Sequence, residues 1–178
     1  AIKKTQGDDA AAAEAERLSE PEQLWQWWME RPRCVSFMDV TSATNERTVI
    51  AAEVPKCPSG NKAPRLLVRS VPPLVLLALM NSLGFDFIAR RRLGGLSLNY
   101  FVIEDAPLPA IDGDRLYIDA LEGTAATLSL VHPCFAQQWL RLPVRERPWK
   151  EQWAISEPSR RSARAVLEAL SAYAFGLT

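Results

Sequence analysis

The stretch PPLVLLALMNSLGFDFIARRRLGGLSLNYFVIEDAPLP, residues 72–109, decides the fold. It reads as a central helix over residues 73–93, a glycine hinge at Gly94-Gly95 and a strand over residues 96–104. Pro72 and Pro73 suit a helix start, where a missing N–H would be unpaired anyway and φ is already set. Every residue from 74 to 80 is apolar, so this part of the helix is covered on most sides. Arg90, Arg91 and Arg92 complement the negative end of the helix dipole, and glycine beyond them is the usual stop. In the strand, Leu96, Leu98, Tyr100 and Val102 face one way and Ser97, Asn99, Phe101 and Ile103 the other. Both faces are largely apolar, which places the strand inside a sheet.

Outward from this stretch, residues 34–40 (CVSFMDV) and 47–54 (RTVIAAEV) read as two strands of an antiparallel hairpin with a polar turn between them. Residues 55–64 form a proline-rich loop, and residues 65–70 a short third strand leading into the helix. On the other side, residues 115–127 read as a helix whose Asp119 and Glu122 face solvent. Residues 135–140 form a short helix. A final helix over 159–175 carries Val166, Leu167, Leu170, Tyr173 and Ala174 on its apolar face and is closed by Gly176. Arg160, Arg161 and Arg164 open that helix against its dipole, which hints at an acidic or phosphate partner. Residues 1–22 are frayed or weakly helical, with 10–18 the helical part. Residues 22–30 make a short helix whose Trp25, Trp27 and Trp28 either pack on a neighbouring element or stack bases. The expected fold is α+β: a small twisted sheet from residues 34–70 and 96–104 packed on a central helix, with a mainly helical C-terminal section. Residues 23–127 form the α+β unit and 128–178 its helical continuation.

With 178 residues, 48% of them hydrophobic, the chain can bury a substantial core. No apolar run approaches the roughly 20 residues of a membrane helix, and no secretory signal is visible. Cys34, Cys57 and Cys134 are odd in number and widely spaced, which points to a reducing, cytoplasmic setting. Net charge is zero but uneven. Residues 31–100 hold ten basic and four acidic side chains, net +6, while residues 101–130 hold one and six, net −5. Phosphate binding needs local cations rather than a basic whole, so the neutral total does not exclude it.

Several chemistries lack their motifs. The only Pro-Pro is flanked by Val71 and Leu74, so no Asn/Asp-Pro-Pro-aromatic loop exists to hold the amine of a flipped base. The Gly-Gly pair follows a helix, the wrong order for a dinucleotide-type cofactor turn. Asp39, Glu53 and Lys56 are the nearest approach to a nuclease triad. However, Glu53 and Lys56 would point to opposite strand faces, with Pro55 between them. His132-Pro133-Cys134 lacks the partner spacings of a zinc site. The chain is therefore not expected to be an enzyme on its own, nor to hold a metal or cofactor.

Three segments carry a resemblance. They are Asp39-Val40 followed by TNERTVIA at 44–51; the helix, Gly-Gly, LSLNYF and PLP of 73–109; and Arg160-Arg161 through LEA at 167–169 to FGL at 175–177. Together, over roughly residues 25–178, they resemble the C-terminal target-recognition region of large adenine-N6 DNA methyltransferases. That family comprises fused restriction–modification proteins of type IIG and related phage-defence methylases. The departures are Met38 where the family usually carries Arg, Glu168 for Asp and Phe175 for Tyr. The resemblance implies a specificity domain that binds double-stranded DNA, excised here as a C-terminal fragment. Methyl transfer with S-adenosylmethionine would then belong to a catalytic domain of the parent chain, which is also its partner.

On this reading Lys56, Asn61, Lys62 and Arg65, in the loop before the helix, are the candidates for sequence readout. Arg90, Arg91 and Arg92 suit phosphates. Asn45 and Arg47 can read adenine and guanine. Equally, Asn45 can take a left-handed turn and Arg47 can pair with Asp39 or Glu53. Asn99 reads as a buried hydrogen-bonding residue. The competing function is a protein-interaction or assembly module with no DNA contact, using the Trp25–Trp28 face and the acidic 101–130 segment.

Overall fold

Apolar and polar contacts divide the work of holding this fold. The computed structural model describes residues 33–55, 59–66, 68, 71–111, 114–143 and 148–177. The expected helices at 10–18 and 22–30, with their three tryptophans, lie outside these residues, as do Lys56 and Cys57. The architecture is α+β, as the sequence implies: among the described residues, a small antiparallel sheet and six α-helices, with a helical C-terminal section. Strand β1 is Arg33–Phe37, β2 is Ala51–Pro55 and β3 is Arg65–Leu66, in the order β2-β1-β3. Phe37 lies opposite Ala51, Val35 opposite Leu66, and the first two strands pair antiparallel. Strands β1 and β2 each cover only part of their sequence patterns. Beyond Phe37 the chain stays extended but changes partners. Met38 N–H donates to the Ile50 carbonyl (3.0 Å), Asp39 N–H to that of Lys62 (3.1 Å), and Val40 makes a single bridge with Ser97.

Helix α1, Pro73–Met80, is the centre of the core: residues 74–80 are each 0–8% exposed. A side chain of this kind contributes about 1.5–3 kcal/mol when fully buried, so this one helix supplies much of the drive to fold. The expected single helix over 73–93 is in fact two. Asn81 and Ser82 interrupt it, and α2, Leu83–Arg92, leaves at 67°. Asn81 turns its amide onto β2, where Oδ1 accepts from Ala51 N–H and Nδ2 donates to Ala51 C=O, both at 3.0 Å. Ser82 Oγ caps α2 by accepting from Phe85 N–H at 3.3 Å and donates to Leu79 C=O at 2.6 Å. Side chains that bond backbone locally favour such breaks over helix continuation.

The strand expected over 96–104 does not form. Residues 96–98 run alongside 39–41, with Leu98 N–H donating to Asp39 C=O (2.7 Å) and Thr41 N–H to Leu96 C=O (3.0 Å). The chain then enters helix α3, Tyr100–Glu104, with the Asn99 carbonyl accepting from Val102 N–H at 3.0 Å. Leu98, Val102 and Ile103 are buried while Leu96, Tyr100 and Phe101 are exposed, a helical rather than alternating pattern. Asn99 is therefore an exposed cap position, not a buried hydrogen bonder. Gly94 and Gly95 also play no left-handed role. Among the described residues the one positive φ belongs to Gly176, at 66°.

Helix α4, Arg115–Ser129, is capped by Asp114 and packs on α1 through Leu121, Ala125 and Ala126. Asp119, expected in solvent, is 8% exposed. The Arg115 guanidinium lies 2.9 Å from it, an ion-pair distance without hydrogen-bond geometry. A 3₁₀ turn at Pro133–Phe135 leads into α5, Ala136–Arg141, whose buried Trp139 donates its indole N–H to Leu130 C=O at 2.8 Å. Helix α6, Glu157–Ala174, lies across α4 and buries Leu167 and Ser171. Val166 and Tyr173, expected on its apolar face, are exposed. Its core stripe runs instead through Leu167, Leu170, Ser171 and Ala174.

Candidate functional site

The polar half of the fold centres on the loop over residues 41–50. Asp86, 3% exposed on α2, accepts from Thr48 N–H (2.7 Å) and Val49 N–H (2.8 Å) with Oδ1. Its Oδ2 accepts from Arg90 Nη2 at 2.7 Å. Arg90 also donates to the carbonyls of Ala43, Asn45 (2.8 Å) and Glu46 (3.1 Å). Arg47 donates to Glu168 Oε1 on α6 at 2.7 Å, and Glu168 Oε2 accepts from Leu83 N–H at 2.8 Å. That carboxylate therefore sits at the N-terminus of α2, where negative charge is favoured. At the next residue, a Cβ on Gly84 would come within 3.1 Å of the Phe175 ring. The three segments of the resemblance meet at this cluster: the 39–51 loop, α2 and the C-terminal helix with its closing turn.

Each expected site residue has a definite place. Arg90 is taken up internally, its donors spent on Asp86 and three loop carbonyls. Arg91 and Arg92 are exposed at the C-terminal end of α2, with Arg91 5.8 Å from the ring centre of exposed Phe87. Arg47 pairs with Glu168, not with Asp39 or Glu53. Asp39 instead pairs with Lys62 at 2.9 Å. Glu53 accepts from Gln138 Nε2 at 3.3 Å, and burial pushes its carboxyl up from the usual range against the pull of Arg33. Asn45 is exposed in a turn closed by its N–H on Ser42 C=O (3.2 Å), and that turn is not left-handed. Asn61 is fully exposed, Lys62 reaches into solvent beside Asp39, and Arg65 Nε donates to Ser59 Oγ at 3.0 Å. Lys56 lies outside the described residues.

The 39–41 segment brings Lys62 and the residues following α2 to its two sides. Lys62 C=O is bonded on one side and residues 96–98 on the other. Around it, Val40, Leu96, Tyr100 and Phe101 are exposed. Tyr100 ties the two flanks together: its hydroxyl accepts from Arg65 N–H (3.0 Å) and donates to Arg65 C=O (3.2 Å). The result is an exposed apolar surface with Lys62 at one margin.

On the other side of the 41–50 loop lies a cleft of about 620 Å³, bounded by residues 45–51, α1, α4 and α6. Its polar lining includes Asn45, Arg47, Asn81, Arg160, Arg164 and Glu168. Arg160 is anchored on the carbonyls of Leu128 (3.2 Å) and Ala154 (3.1 Å). The sequence pattern missed the cleft, although the arginines set against the α6 dipole were its one legible trace.

Among the described residues, no group of three or more His, Cys, Asp and Glu side chains could hold a metal ion. No single helix among them is long and apolar enough to cross a membrane. The chain matches no protein-family model. Comparison with curated proteins and with solved structures likewise gives no match.

Proposed function

We propose that this chain is the DNA target-recognition module of an adenine-N6 DNA methyltransferase or restriction–modification protein. Methyl transfer, and the S-adenosylmethionine it consumes, belong to a catalytic domain elsewhere in the parent. The observation that carries this reading is how the polar residues are divided. Arg47 and Arg90 are drawn into the fold, whereas Lys62, Arg91 and Arg92 stand exposed. On this reading such cations position a duplex through its phosphates, and Asn61, Lys62 and Arg65 are assigned to base edges. Replacing Arg91 and Arg92 with Gln is expected to weaken binding to every duplex sequence by a similar factor. It should also shallow the plot of log affinity against log salt by up to about 0.9 per lost contact. Fluorescence anisotropy at several salt concentrations measures both, and unchanged affinity and slope would retire the reading.

A second reading, a protein-docking module, is favoured by the exposure of Phe87, Leu96 and Phe101. It predicts association that survives high salt, because apolar burial is not screened as phosphate contacts are.

A further inference from the structure

We propose that the cleft between α6 and the loop over residues 45–51 is a phosphate-binding site that takes one phosphate of a nucleotide, free or within a DNA strand. Only its DNA-strand form rests on the function proposed above.

Two walls supply donors. On α6, Arg160, Arg164 and Glu168 follow at four-residue spacing and so share one face of the helix, neighbouring side chains lying about 5–6 Å apart. Arg160 is fixed by two main-chain carbonyls, but Arg164 is exposed and has no partner among the described residues. On the facing loop, Arg47 is held in position by Glu168 through Nη2, while its Nη1 is buried with no acceptor. Both Glu168 oxygens are already engaged, one by Arg47 and one by Leu83 N–H, which leaves the Arg164 charge uncompensated on that face. A free guanidinium on the wall of a cleft suits an oxyanion, and its planar fork matches two phosphate oxygens at once.

Size and charge narrow the ligand. The volume of about 620 Å³ exceeds what a lone carboxylate or phosphate fills and falls within the usual range for small-molecule sites. Val49, Ile50 and Leu128 provide an apolar wall for a ribose or base. The lining of the cleft holds three arginines and two glutamates, Glu46 and Glu168. That balance accommodates a monophosphate or one strand phosphate and disfavours a di- or triphosphate.

Adenosine 5′-monophosphate, adenosine and a 20-base-pair duplex are titrated into the 178-residue chain and its Arg164→Gln variant. Calorimetry reads the small ligands and anisotropy the duplex. Because Arg164 has no partner among the described residues, the variant is expected to melt as the unsubstituted chain does. For a free-nucleotide site, the monophosphate binds at least tenfold better than adenosine and loses at least tenfold in Arg164→Gln. For a strand phosphate, duplex affinity falls in the variant and its salt slope shallows by about 0.9. Either loss supports the site. Monophosphate and duplex binding both unchanged in Arg164→Gln, or binding of neither by the parent chain, overturns it. Duplex binding that depends on Arg91 and Arg92 but not on Arg164, with monophosphate binding absent or unchanged in the variant, overturns the cleft and leaves the DNA reading standing. Monophosphate binding lost in the variant, with no duplex binding at all, does the reverse.

Discussion

Two loops flank the same extended segment of this protein and are held in opposite ways. The loop over 41–50 is bonded throughout by groups from elsewhere in the chain. Asp86 takes two of its N–H groups, Arg90 three of its carbonyls, and Glu168 its one arginine. The loop over 59–66 is tied mainly through its own backbone, with Ala63 N–H on Gly60 C=O and Pro64 C=O accepting from Phe37 N–H and Ser36 Oγ. At its tip the polar side chains point outward: Asn61 is exposed, and Lys62 is 68% exposed even while paired to Asp39. A polar loop is therefore not by itself a binding loop. Polar side chains that bond inward build scaffold, and those left outward are available to a partner.

Asp86→Ala tests this contrast most severely. It leaves two buried N–H groups and the Arg90 charge without their acceptor, a loss of about 3–5 kcal/mol by analogy with broken buried pairs. Against a typical total of about 5–15 kcal/mol, urea unfolding should show a chain near its stability limit. A loss below about 1 kcal/mol would mean the 41–50 loop is not what Asp86 secures. Glu168→Ala should cost less, about 1.5–3 kcal/mol, because it removes charge-assisted bonds to half-exposed Arg47 and to Leu83 N–H. Melting of Glu168→Ala, Arg47→Ala and the double variant measures the coupling, and strict additivity would break the proposed latch. Asn61→Ala, in the outward loop, should change stability by no more than about 0.5 kcal/mol. A larger change in its melting curve would put that loop into the scaffold as well and erase the contrast.

What the sequence disclosed follows from the range of the forces involved. The uninterrupted apolar run of α1 and the Gly176 terminus are local signals, and both were legible. The break at Asn81 and Ser82 was also local, but seven consecutive apolar residues before it and a basic end after it masked a pair of polar residues. The strand expected over 96–104 failed for a different reason. Leu98, Val102 and Ile103 fit strand and helix alike in so short a run, and only their packing decides between the two. The clamp on the 41–50 loop was hidden because its bonds span 37 to 121 residues. Arg90, Arg91 and Arg92 are identical in composition, yet each step turns about 100° around α2. The first therefore meets Asp86 one turn back and the others face away.

The amide of Asn81 has one more consequence, for what this protein avoids. Strand β2 is an outer strand of its sheet, so its outward N–H and C=O groups would otherwise offer a template for another chain. At Ala51, both of those groups are already occupied, by Oδ1 and Nδ2 of the same side chain. A single amide thus imitates the next strand for the length of one residue and shields that rung of the border from strand addition. The residue at the break between the two core helices also guards against self-association, so Asn81→Leu would leave that rung open to a neighbouring molecule.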